Sequence, residues 1–131
     1  MILDTVALVR LLREALDEAA MLDLESAETL AVGAASAFEI NQKVRIGKLD
    51  MRPFGEAELA TLAARGIEVV PLTGEIMAEA ASMVWRHEGA EHRDPFDRMI
   101  AATARARALP VLTADRAFLS LREAGLEVRL L

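Results

Sequence analysis

The feature that most limits how this chain can fold is the alternation of short, uniformly apolar runs with longer stretches of helical periodicity. The runs Met1-Ile2-Leu3, Leu30-Ala31-Val32-Gly33-Ala34, Ile67-Glu68-Val69-Val70, Pro110-Val111-Leu112 and Glu127-Val128-Arg129-Leu130-Leu131 read as strands. Most are too apolar for a strand with one wet face, so they predict a parallel sheet covered on both sides. Helical patterns fill the intervals, at about 5–16, 17–28, 36–46, 56–65, 74–87, 95–108 and 116–124. Arg65-Gly66 and Gly125 are helix stops, each placing glycine just before a strand. The expectation is an α/β domain of three layers, with a central, mostly parallel sheet of about five strands flanked by helices.

The 131 residues make one domain, 1–131, with no internal repeat and no linker-like tract. The segment 87–92 is the nearest thing to a flexible loop. Apolar residues form 53% of the chain and charged residues 27%, a globular balance. The absence of cysteine excludes disulfides, thiolate zinc sites and thiol catalysis, and it is compatible with a reducing, cytoplasmic location. Asp4 interrupts the first apolar run and no basic leader precedes it, so no signal peptide is expected. The longest apolar stretch, near 30–38, is far short of the roughly 20 residues that cross a membrane, so a soluble protein with no membrane partner is expected. The net charge of −6, from 21 acids and 15 bases, argues against a sequence-blind nucleic-acid coat protein. It leaves room for a nucleic acid as substrate, because cations bound among clustered carboxylates reverse the local sign.

In a parallel α/β sheet, strand C-termini and helix N-termini share one edge, and ligands collect there. Four acids map to that edge: Asp4 after the first strand, Glu39 one turn beyond the second, Asp97 at the head of the helix before the fourth, and Asp115 just after the fourth. Each has a bland local explanation. Ser36-x-x-Glu39 has the form of a capping box, Asp94-Pro95 the form of a helix N-cap followed by proline, and Asp97 would sit in a first turn favoured by the helix dipole. Asp4 and Asp115 could cap the helices that follow them. Taken together the four are harder to dismiss, since Thr5, Ser36 and Thr113 could have capped without adding charge. Converging carboxylates repel one another unless a cation lies among them, and Mg²⁺ or Mn²⁺ suits an all-oxygen donor set. Such ions activate water and stabilise charge on a phosphodiester.

Four segments resemble a known family: Ile2-Leu3-Asp4-Thr5; Ser36-Ala37-Phe38-Glu39-Ile40 with 43–49 behind it; His92-Arg93-Asp94-Pro95-Phe96-Asp97-Arg98-Met99-Ile100-Ala101; and Leu112-Thr113-Ala114-Asp115-Arg116-Ala117-Phe118. They are similar to the PIN-domain ribonucleases, specifically the VapC-type toxins of bacterial toxin-antitoxin pairs, in the same order over almost the whole chain. The resemblance implies a Mg²⁺- or Mn²⁺-dependent endoribonuclease acting on single-stranded RNA, often a homodimer and held inactive by a cognate antitoxin protein. It puts the family's acidic quartet on Asp4, Glu39, Asp97 and Asp115, with Asp94 as a supporting acid and Thr113 as a hydroxyl that orients ligands.

Lys43, Arg45, Lys48, Arg98 and Arg116 flank the acids and are candidates to hold the RNA backbone, although a solvated helix face is the commoner explanation for such charges. His87 and His92 read as solvent-exposed, with no third histidine or cysteine to complete a zinc set. Phe96, Met99, Ile100 and Thr103 recur at helical spacing and read as core, as do Met77, Met83 and Trp85. Aromatics at 4% of the chain, with no tyrosine, disfavour a base-stacking reader of the RRM or OB kind. The first helix carries more apolar residues, Val6, Leu8, Val9, Leu11, Leu12 and Leu16, than one buried stripe needs, which hints at a dimer or antitoxin surface. Two other readings of the acids are a phosphoacceptor or signalling domain with an acidic Mg²⁺ pocket, and a catalytically silent binding module. The first lacks the adjacent acidic pair after strand one that such receivers show.

Overall fold

The computed structural model describes residues 1–131. Five strands, β1 (Ile2–Leu3), β2 (Leu30–Gly33), β3 (Ile67–Val70), β6 (Val111–Thr113) and β7 (Val128–Leu130), form a sheet in the order β3-β2-β1-β6-β7, with every neighbour parallel. The chain lays strands outward on one side of β1 and then returns to build on the other. That reversal opens a crevice between the C-terminal ends of β1 and β6.

Side chains alternate across the sheet, and the two faces build two cores. Ile2, Ala31 and Val111 face a cluster completed by α5 (Gly74–Ser82), α6 (Pro95–Arg107) and a 3₁₀ helix (Arg116–Leu121). Their neighbours Leu3, Val32 and Leu112 face the opposite cluster, shared with α1 (Thr5–Leu12), α2 (Glu18–Glu25), α3 (Ala34–Arg45) and α4 (Glu56–Ala64). The uniform apolarity of these strands has this cause: both faces are covered.

Both glycine stops hold, with Gly66 (φ 69°) and Gly125 (φ 86°) in the left-handed region that favours glycine. The predicted helix over 74–87 does not run its length. It ends at Ser82, and the residues behind it enter a small antiparallel hairpin, β4 (Arg86–His87) and β5 (Ala90–Glu91), where a loop was expected. Its turn residues Glu88 and Gly89 both have positive φ (49° and 81°), as a two-residue type I′ hairpin requires.

Arg98 explains the early stop. Its guanidinium donates from Nε to Ala80 O (2.7 Å), from Nη1 to His92 O (2.8 Å) and from Nη2 to Ala81 O (3.4 Å) and Met83 O. Carbonyls at the end of α5, which have no partner within a helix, are thereby satisfied from α6. Arg98 is thus buried structure and is corrected here from its expected place on the RNA backbone.

Candidate active site

The crevice contains two groups of acids joined by one hydroxyl. Asp4 is only 4% exposed. Its Oδ1 caps α1 by accepting from Ala7 N (2.7 Å), and its Oδ2 accepts from Thr113 Oγ1 (2.5 Å). The same Thr113 oxygen accepts from Asp115 N (2.9 Å), so the last residue of β6 holds the acid of β1 and the turn carrying Asp115 together. Burial pushes the Asp4 carboxyl above the usual carboxylate range, and the charge of Glu39 adds to the rise.

Glu39 is buried on α3, whose N-cap is Gly33 and not Ser36, so the expected capping box does not form. Thr5 Oγ1 donates to Glu39 Oε2 and lies 3.2 Å from Ser36 Oγ, while Lys43, one turn along, pairs with Glu39 Oε1 at 2.5 Å. Glu39 therefore has no capping role.

The second group is His92, Asp97 and Asp115, whose ligand atoms all lie within 4.8 Å of one another; Asp4 and Glu39 fall outside this tight set. Asp115 caps the 3₁₀ helix by accepting from Ala117 N (2.8 Å). Asp94 is exposed and caps α6, accepting from Phe96 N (2.9 Å) and Asp97 N (3.1 Å). Asp97 caps nothing; its Oδ2 meets His92 Nε2 at 2.8 Å. Burial, with Asp94 and Asp115 nearby, pushes the Asp97 carboxyl up to about 7, against the opposing pull of His92.

His92 corrects the expectation of a solvent-exposed ring. Its backbone N donates to Trp85 O (2.8 Å), extending the hairpin ladder by one rung, and its imidazole packs on the Trp85 indole with centroids 4.2 Å apart. Trp85 Nε1 in turn reaches Ala117 O and Ser120 Oγ, both at 3.1 Å, in the 3₁₀ helix that Asp115 opens. His87 is half-buried beside Glu88. Sequence reasoning missed His92, Thr5 and Ser36 as site residues. Their only signal was proximity to the acids in the sequence, and the contact of His92 depends on a hairpin that the pattern did not show.

Among the flanking bases, Lys43 is taken by Glu39, whereas Arg45, Lys48 and Arg116 are exposed and free of acidic partners. Of the residues read as core, Ile100, Thr103, Met83 and Trp85 are buried, Phe96 and Met99 half-buried, and Met77 exposed.

An oxygen-rich donor set with one imidazole nitrogen, in which two acids are held against their own burial, suits a divalent cation such as Mg²⁺ or Mn²⁺. Asp97, Asp115 and His92 are the residues close enough to share one ion as they stand.

The PIN domain family model matches residues 1–124. The chain belongs to the PIN-domain family. PIN domains are nucleases, and the acids of this one gather at the C-terminal edge of the sheet, at its point of reversal. Among solved structures, this PIN domain is similar to a toxin-antitoxin complex from Klebsiella pneumoniae, with 16% identity over 89% of this chain and 88% of that one and a TM-score of 0.60. It is also similar to VapBC2 from Rickettsia felis bound to a promoter DNA fragment (17% identity, 98% and 96% covered, TM-score 0.66). FitAcB from Neisseria gonorrhoeae gives 22% identity, 97% and 94% coverage, and a TM-score of 0.60. At such identities the likeness is one of fold. No curated protein matches the chain. No helix is long and apolar enough to cross a membrane.

Proposed function

We propose that this PIN domain is a Mg²⁺- or Mn²⁺-dependent endoribonuclease that cuts single-stranded RNA, the VapC-type toxin of a toxin-antitoxin pair. The observation that carries the reading is the set of acids from four different elements at the reversal point of the sheet, with Asp97 held near neutrality by burial and by its acidic neighbours. A toxin-antitoxin complex and a VapBC assembly are among the structures that share the fold, which favours an antitoxin as the restraining partner; the assembly in this reading is a homodimer. Of the apolar residues of α1 only Val6, 40% exposed, stays open for either contact, the others being buried or packed against the core.

In this reading Asp97 and Asp115, with His92 beside them, would hold an ion as they stand, and Asp4 and Glu39 would complete the acidic set that holds the metal. Bound there, such an ion would supply an activated water and neutralise charge developing on the phosphodiester. Thr113 fixes the rotamer of Asp4, Thr5 and Lys43 fix that of Glu39, and His92 fixes that of Asp97. Asp94 supports the set by capping the helix that delivers Asp97. Arg45, Lys48 and Arg116 carry unpaired positive charge suited to the RNA backbone, and Lys43, paired with Glu39, stands on the same helix as Arg45 at the edge of that track.

The test is a nuclease assay on a mixed pool of RNA with Mn²⁺ and with EDTA, comparing the parent with Asp4→Asn and Asp97→Asn. Asparagine removes the charge in both while keeping at Asp4 the oxygen that caps α1 and at Asp97 a polar group of the same size beside His92. Cleavage should require the metal and fall by at least about 100-fold in each variant, the loss typical of an essential electrostatic group. Equal cutting by parent and variants would refute the metal assignment.

A further inference from the structure

The protein has five aromatic residues, and three are buried: Phe54, Trp85 and Phe118. The other two stand beside the candidate acids. Phe38, immediately before Glu39, is 65% exposed, and Phe96, immediately before Asp97, is half-buried. They come from different helices, α3 and α6, yet their ring centroids are 6.0 Å apart with planes inclined by 31°. A phenyl ring left so open adds little to the core.

We propose that Phe38, backed by Phe96, is a stacking platform for one unpaired nucleobase of a single-stranded RNA whose backbone crosses the acidic crevice. The inference rests on the nuclease reading and names a subsite for its substrate. A base cannot slip between the two rings. Two stacked contacts at van der Waals separation need roughly 7 Å between parallel planes, which exceeds the 6.0 Å and the tilt observed. Phe96 therefore supports the ring, and the base lies on the outer face of Phe38.

The helix continues the track. Residues four and seven positions beyond Phe38 share its face, and these are Gln42 and Arg45, both exposed. An aromatic ring followed by an amide and then by a cation matches a base, a polar base edge or ribose, and a phosphate. A partner protein helix would instead need apolar neighbours both one and two turns along; Ile46, 58% exposed, stands two turns along, but the position one turn along is Gln42 and Arg45 takes the face beside Ile46. One stacking ring also reconciles a chain poor in aromatics with a substrate that must be single-stranded, since every base presents a π-face and the contact is indifferent to sequence.

The test measures the affinity of a short fluorescent single-stranded RNA by anisotropy, in EDTA and in an Asp97→Asn background so that nothing is cut. Phe38→Ala should raise the Kd by roughly 5- to 150-fold, the loss of one base stack. Phe38→Trp should restore binding and Phe38→Leu should not, because leucine replaces the apolar area without the π-face. A single abasic site walked along the RNA should weaken binding at one position in the background protein and at none in Phe38→Ala. Melting temperatures within a degree or so of the background are expected, since the ring is on the surface. Unchanged affinity in both Phe38→Ala and Phe38→Leu overturns the platform. Altered sedimentation of Phe38→Ala with an unchanged Kd also overturns it, and makes the ring a contact between copies of the chain. If the protein with Asp97 restored still cuts RNA with Mn²⁺, only the stacking inference falls; if it neither binds nor cuts, both fall.

Discussion

At the scale of single residues the site is governed by the cost of keeping carboxylates charged where water is scarce. The Asp97 carboxyl has been raised from 3.8 to about 7. The fold therefore favours its protonated form: the associated stability is fully present below pH 3.8 and is lost as pH rises to about 7. In EDTA, the melting temperature of the parent should decline across this window for that reason. Asp97→Asn should remove part of the decline and melt above the parent near pH 7.5. Coincident melting curves for the two proteins from pH 4 to 8 would show that Asp97 titrates normally. The acids themselves were legible in the sequence because each follows a strand or opens a helix, and parallel topology sends such positions to one edge. Their partners were not. Nothing in the order of residues says that Thr113 bridges Asp4 and Asp115, or that Glu39 lies inside its helix and not at its cap, because these depend on where the first turn of α3 begins.

At the scale of elements, the five strands of the parallel sheet were legible to within a residue or two because burial on both faces writes itself as apolarity, independent of partner, whereas the exposed hairpin β4–β5 was not. The end of α5 was not legible. Its sequence remains compatible with helix to residue 87, and the break is imposed from α6, where Arg98 binds the carbonyls of Ala80, Ala81 and Met83. Arg98→Ala should leave these buried acceptors without a donor and destabilise the protein by about 2–4 kcal/mol, read from urea unfolding. A loss below about 0.5 kcal/mol would mean that water replaces the guanidinium freely. The same hairpin carries His92, so the variant should also weaken Mn²⁺ binding. A second element end gives a prediction of opposite sign. Ala108, the C-cap of α6, has φ 51° and ψ 42°, a left-handed conformation costly for any residue with a Cβ. Ala108→Gly should therefore stabilise by about 0.5–1 kcal/mol, the relief of strain less the added freedom of the unfolded chain. A destabilised variant would show that the methyl group contributes packing that outweighs its strain.

At the scale of the whole molecule, two apolar cores grip opposite faces of one sheet, and the sheet holds the acids of β1 and β6 at a fixed spacing. Stability is thus held in one part of the molecule and charge repulsion in another, and the first must exceed the second for the metal-free protein to fold. On the proposed function, a divalent cation would be a folding ligand as well as a cofactor. An ion that binds the native crevice and not the unfolded chain stabilises by RT ln(1 + [L]/Kd), about 2.7 kcal/mol at one hundred times Kd. The parent should accordingly melt higher as Mn²⁺ is raised, and the increment should grow with the logarithm of concentration once the site is saturated. Asp4→Asn/Asp97→Asn should start from a higher melting temperature in EDTA and show no such increment, because it has lost two of the charges that attract the ion and repel one another. The two halves of that result belong together. A double variant that gains stability in EDTA but still responds to Mn²⁺ would place the ion away from Asp4 and Asp97. One that loses both stability and response would mean that the carboxylates hold the crevice through their hydrogen bonds to Ala7, Thr113 and His92 more strongly than they strain it through their charge.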